Sequence, residues 1–139
     1  MASIQHLTNG HLITTAQSIA TRGKEFKLPD DIISITCEAN FVYSGGGTTA
    51  KVFIQTTFGN DDWFDVMCFQ FTTASARKFL SINGNQSIAS DYLAGAVGTM
   101  SVDTAVEGII GNKLRAQVVT TGTYTGTNTL DVRARLIHH

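Results

Sequence analysis

The stretch ISITCEANFVY, residues 33–43, decides the fold class of this chain. Its odd positions are apolar or aromatic, and the even positions before Val42 are polar: Ser34, Thr36, Glu38 and Asn40. A period of two places alternate side chains on opposite faces of an extended backbone, so one face lies against a core and the other in water. The stretch is therefore predicted to be a half-buried antiparallel strand.

Further segments of extended character follow along the chain, at about 48–57, 63–72, 77–82, 113–121 and 130–136. Glycine, asparagine and aspartate between them tolerate positive φ and favour turns. We interpret residues 44–47, 58–62 and 122–126 as the turns of three hairpins. The chain is predicted to be all-β, an antiparallel β-sandwich (jelly-roll-like or Ig-like) of about 7–8 strands, with a small barrel as the alternative.

Two regions lack this regular alternation. Residues 1–30 are polar and threonine-rich, and we predict an amino-terminal arm or edge strand there, followed by a β-sandwich domain at 31–139. Residues 83–107 are rich in alanine and glycine, with apolar residues at irregular intervals. A loop of this length in a compact domain is usually functional or covered by a partner.

The composition predicts a protein that associates with other proteins. Only 15% of its residues are charged, against roughly 25% in an ordinary soluble domain. A surface rich in neutral hydrogen-bonding groups suits permanent association, and we expect a homo-oligomer; the alternative is a secreted-style sandwich coated with Thr and Ser. Ten basic and eleven acidic residues give a net charge of −1, so no nucleic-acid partner is expected.

The cysteines and the apolar runs bear on the compartment. Cys37 and Cys68 both fall inside predicted strands, where a small buried hydrophobe is the usual role and a disulfide across a sheet is the alternative. The sequence shows no secretion leader and no apolar run near the roughly 18 residues that a membrane helix needs. We therefore expect no membrane association.

The residues that could carry chemistry form no specific motif. Asp61, Asp62 and Asp65 are the densest acidic cluster and could bind Ca²⁺ or act as an acid–base pair, but their spacing matches no calcium loop, and such residues are common in turns. All four histidines lie near the termini. No nucleophile elbow or phosphate-binding loop is present. We expect no catalytic residues, no bound metal and no cofactor, and so no enzyme.

Aromatic residues near the predicted loop ends suggest one further kind of site. Trp63 and Phe64, with Tyr43, could form a platform for a sugar ring, as in carbohydrate-binding sandwiches. The competing interpretation is that these rings fill the core or an interface.

Two long segments carry a resemblance to a known class of proteins. They are YSGGGTTAKVFIQTTFGNDDWFDVMCFQFTTASARKFLSI, residues 43–82, and GIIGNKLRAQVVTTGTYTGTNTLDVRARL, residues 108–136. Their order of a glycine-rich turn, a strand ending Gln-Thr, an acidic tryptophan turn and the Phe-x-Phe-Thr-Thr-Ala-Ser stretch resembles small β-sandwich virion proteins of tailed bacteriophages. The resemblance covers roughly residues 33–82 and 108–136, and it leaves the amino-terminal arm and residues 83–107 unmatched.

This resemblance implies a structural role in a phage particle. We expect a capsid decoration (cement) protein that stabilises the mature head, located in the virion and assembled in the bacterial host cytoplasm. Its partners would be the major capsid protein or other virion proteins, and trimers are the natural expectation at threefold junctions. The alternatives are a tail or neck component and a carbohydrate-binding module. The expected interface residues lie in the arm and in the loop: Leu7, Leu12, Ile13, Ile19, Tyr92, Leu93, Val97 and Met100.

Overall fold

The structure is a computed structural model, which describes residues 2–13, 21–22, 25–85 and 91–138. Across these residues the chain forms twelve strands. In chain order they are β1 (Ala2–Ile13), β2 (Thr21–Arg22), β3 (Phe26–Lys27), β4 (Ile32–Val42), β5 (Gly45–Gly46), β6 (Thr49–Thr57), β7 (Trp63–Phe71), β8 (Ala76–Asn83), β9 (Thr104–Ala105), β10 (Lys113–Thr121), β11 (Tyr124–Thr125) and β12 (Asn128–His138).

The strands form two antiparallel sheets. Sheet A has the order β1-β12-β4-β8, and sheet B has the order β2-β10-β6-β7-β9, with β3 also paired to β10. β5 and β11 form a separate two-stranded ribbon. The prediction of an all-β antiparallel sandwich is confirmed.

The core lies between the inner faces of the two sheets. Sheet A contributes the alternate residues that the sequence pattern indicated, among them Ile35, Cys37, Ala39 and Phe41 of β4. Sheet B contributes aliphatic and aromatic side chains from its three long strands, β6, β7 and β10. Because every second residue of each strand points inward, the core fills without any helix in the described part of the chain.

Two of the three predicted hairpins are wrong. β4 belongs to sheet A and β6 to sheet B, so residues 43–48 cross from one sheet to the other. β10 and β12 are likewise in different sheets and do not pair. Only the turn at 58–62 joins paired neighbours, β6 and β7. Alternation shows which face of a strand is buried, but it does not show which strand lies beside it.

The glycine run belongs to one of these crossings. Gly46 and Gly47 have φ of 67° and 72°, and a Cβ on Gly47 would lie 2.3 Å from ring atoms of Tyr124. Tyr124 is fully buried, and its hydroxyl donates a hydrogen bond to the Thr72 carbonyl at 2.9 Å. The crossing therefore requires glycine at position 47 for both its backbone conformation and its space.

The amino-terminal residues take part in sheet A. β1 pairs with β12 over most of its length, with two irregularities in register near Leu7. The boundary predicted between residues 30 and 31 remains a prediction. A search of the described residues finds no helix long and apolar enough to cross a membrane.

Candidate functional site: a loop fixed over sheet B

The outer face of sheet B is covered by residues 91–106, which we call the covering segment. β7 is apolar on both faces because Met67 and Phe69 point into the core whereas Trp63 and Cys68 lie on the opposite side. A strand that is apolar on both faces lies between two layers or at an interface. In the structure it lies between the core and the covering segment, whose β9 pairs with β7 at Met67 and Cys68.

A single carboxylate fixes the middle of the covering segment. Asp65 is 3% exposed, and it accepts hydrogen bonds from the backbone N–H groups of Gly98 at 2.9 Å, Thr99 at 3.1 Å and Met100 at 3.2 Å. Gly98 has a φ of 81°, which turns successive N–H groups toward one anion. A buried carboxylate is stable only when such donors satisfy it.

The same carboxylate belongs to a polar network on sheet B. The Gln55 side-chain amide donates to Asp65 at 3.0 Å and to the Gln117 side-chain oxygen. The Gln55 oxygen accepts from the Arg115 Nε at 2.7 Å. Gln55 of β6 lies opposite Asp65 of β7 and Arg115 of β10, and Gln117 lies two residues further along β10, opposite Phe53. Strand register therefore brings the four side chains together. Each of the four side chains makes at least one hydrogen bond within this network, which stabilises the arrangement.

Further bonds hold the two ends of the covering segment. The Tyr92 hydroxyl donates to the Asp65 carbonyl at 3.0 Å, and burial, then the Asp65 charge, raise the Tyr92 pKa. At the other end, Asp103 accepts from the Gln70 N–H at 3.1 Å and pairs with the Lys78 ammonium at 3.0 Å. The segment is therefore held at both ends and in the middle. A cleft of about 450 Å³ remains between it and β7.

The predicted aromatic platform is not an open surface. Trp63 is only 8% exposed, and the Arg115 guanidinium lies 4.1 Å from the centre of its ring. Its edge lines a polar cleft of about 480 Å³ with Arg115, Glu25 and Val97. Phe64 is half-buried against the exposed Phe58, with 5.6 Å between ring centres. The geometry favours the interpretation that these rings pack, and glycan binding at Trp63 remains a prediction.

The structure separates the residues that were expected to form an interface. Leu7 is a correction: at 2% exposure it belongs to the core, because β1 packs as a strand of sheet A. Tyr92, Val97 and Met100 are half-buried in the covering segment, and Leu93 is 91% exposed. Leu12 and Ile13 lie in β1, where only their backbone is described, and Ile19 lies outside the described residues.

The structure also separates the three aspartates of the predicted acidic cluster. Asp61 and Asp62 are exposed on the β6–β7 turn, whereas Asp65 is buried under the covering segment. Within residues 2–13, 21–22, 25–85 and 91–138, no three His, Cys, Asp or Glu side chains come together as a metal site. The dominant role of Asp65 is to bind backbone amides of its own chain.

Both cysteines are buried and free. Cys37 lies in the core, and Cys68 lies on the other side of β7, where its backbone pairs with Thr104 of β9. Burial raises the pKa of Cys37 to about 12 and that of Cys68 to about 11. Two thiols on different sheets serve as small apolar side chains here.

Sequence reasoning missed the Asp65 anchor. A signal was present in the sequence, because Gln55 and Asp65 are polar residues on strand faces that also carry the apolar residues Phe53 and Cys68. Two polar residues on a buried face require partners. The position of those partners, more than thirty residues later on the chain, depends on the tertiary fold.

Comparison of the chain with known protein families, with curated protein sequences and with solved structures finds no match to any of them.

Proposed function

We propose that the chain is a structural protein of a bacteriophage particle, a capsid decoration protein that stabilises the mature head through protein–protein contacts. The proposal begins from the resemblance of roughly residues 33–82 and 108–136 to small virion proteins of tailed phages. It includes a location in the virion, with the major capsid protein as partner.

The observation that supports this proposal is the way in which Leu93 is held. A leucine side chain that is 91% exposed lies beside Tyr92, whose hydroxyl is bonded to β7, in a segment that Asp65 anchors a few residues later. Exposed apolar side chains on a fixed segment lose little conformational entropy on binding. Such a surface fits a contact with a rigid lattice.

The mechanism follows from differential affinity. A protein that binds the assembled mature lattice more tightly than free subunits shifts the equilibrium toward that lattice. In this proposal the covering segment supplies the contact, and the sandwich behind it supplies rigidity. No catalytic step is involved, and the absence of enzyme activity remains a prediction.

The proposal is tested by co-sedimentation of the purified chain with mature and immature heads of the encoding phage. We expect saturable binding that favours the mature heads. Leu93→Ser should weaken that binding about tenfold or more, because burying a leucine contributes about 1.5–3 kcal/mol.

The matched control is Val42→Thr, which changes a 47% exposed residue of sheet A without altering its branched shape. It should leave the affinity unchanged. Binding to neither form of the head, with both variants folded, would overturn the decoration proposal.

A further inference from the structure

The outer face of sheet A is an exposed surface of mixed character. Register places Ile4, Arg135 and Thr36 side by side on β1, β12 and β4. The next outward row places Arg133 and Glu38 beside Phe79 of β8. Ile4 and Phe79 are 60% and 56% exposed. We call these residues, together with Arg77 and Asp131, the open face.

The open face carries a net positive charge. Glu38 is bonded to both Arg77 and Arg133, so one carboxylate holds two guanidinium groups. Arg135 makes no ion pair among the described residues. With Asp131 included, three arginines face two carboxylates, and 3 − 2 leaves a formal charge of +1.

The β6–β7 turn has the complementary character. Phe58 is 68% exposed, and the carboxylates of Asp61 and Asp62 are exposed a few residues later. The Thr57 hydroxyl fixes the turn, because it donates to the Asp62 carbonyl at 2.8 Å and accepts from the Gly59 N–H at 3.1 Å. Residues 58–62, which we call the acidic turn, therefore present an aromatic ring beside a formal charge of −2.

We propose that the open face of one copy binds the acidic turn of a second copy. Phe58 would pack against the apolar side chains Phe79 and Ile4, and Asp61 or Asp62 would pair with Arg135. Charge decides against the alternative in which two open faces meet, because each carries the same net sign. Opposite signs on the face and the turn favour the contact between different surfaces.

A contact between two different surfaces has a consequence for assembly. Each copy offers one open face and one acidic turn, so the contact repeats from copy to copy and closes into a ring or continues as a filament. This contact gives the expected homo-oligomer a specific interface. It does not depend on binding to a phage head.

The test uses charge exchange in the full-length chain, measured by sedimentation velocity over a range of protein concentrations. Arg135→Glu changes the face from +1 to −1. Asp61→Asn with Asp62→Lys changes the turn from −2 to +1, and asparagine is chosen because Asp61 has a φ of 54°, which asparagine tolerates. Far-UV circular dichroism verifies that each variant is folded.

We expect the unaltered chain to associate. Each variant alone should associate at least about tenfold more weakly, because its open face and its acidic turn then carry charges of the same sign. Mixing the two variants should restore association, since every face then finds a turn of opposite charge in the other variant. A single chain with all three substitutions should also associate. An unaltered chain that stays monomeric would overturn the proposal, as would a mixture of folded variants that fails to associate.

Discussion

At the scale of single residues, two buried carboxylates have opposite surroundings. Asp65 is held by backbone amides of its own chain, whereas Glu38 is held by two arginine side chains. Burial alone would raise the pKa of Glu38, but hydrogen bonds from Arg133 and Arg77 outweigh it and leave the pKa lowered. The Glu38 arrangement therefore depends on pH.

The Glu38 ion pairs should stabilise the fold above the ordinary pKa of a glutamate and lose that effect in acid. Because the folded-state pKa is lowered, the stabilisation is complete above the unfolded-state value and disappears as the pH falls through the folded-state value. Glu38→Gln should cost about 1 kcal/mol at pH 7. Urea unfolding of both proteins from pH 7 to pH 3 measures the difference, and a difference that grows in acid would contradict the argument.

At the scale of elements, the position of the covering segment depends on the side chain of Asp65. Asp65→Asn replaces one acceptor oxygen with an N–H₂ group that faces N–H donors, so donors near Gly98 are left without an acceptor. The free energy of unfolding should fall by about 2 kcal/mol, and the segment should open more often.

The reactivity of the Cys68 thiol measures how often the covering segment opens. In the unaltered protein neither thiol should react with a disulfide reagent at pH 8, because both are buried with raised pKa values. In Asp65→Asn, Cys68 should react first, while Cys37 in the core stays protected. Asp91→Asn, which alters an exposed residue of the same segment, is the control. Equal reactivity of the two thiols in Asp65→Asn would indicate global unfolding instead.

Strands were predictable from the sequence where one of their faces is exposed to water. The alternation at Ile35, Cys37 and Ala39 gave β4 and its buried face directly. The pairing of β6 with β7 was predicted, but the partners of β4, β10 and β12 were not predictable, because a crossing between sheets and a hairpin use the same turn residues. The position of residues 91–106 was also beyond prediction, since it depends on amides that meet Asp65 only after sheet B has formed.

At the scale of the whole molecule, the two sheets are joined by crossings instead of hairpins. The crossing at Gly47 packs directly against the buried ring of Tyr124, whose hydroxyl bonds the end of β7. A substitution at this crossing disturbs the packing of both sheets, so we expect the sandwich to unfold as one unit.

Gly47→Ala should lower the free energy of unfolding by about 3 kcal/mol, because it adds a steric overlap to an unfavourable φ. Gly59→Ala is the comparison, since Gly59 also has a positive φ, 141°, but a Cβ there meets nothing within 4 Å. Thermal unfolding followed by circular dichroism gives both values. An equal loss of stability in the two variants would show that the contact with Tyr124 contributes nothing.

The anchoring of residues 91–106 also sets an order of events during folding. The amides that bind Asp65 come about 33 positions after it in the chain, so sheet B must be in place before they can dock. Until then Phe53, Trp63 and Cys68, all buried in the finished molecule, face water together. Refolding should therefore pass through an interval in which one side of the sandwich is apolar and exposed, and yield should fall as protein concentration rises.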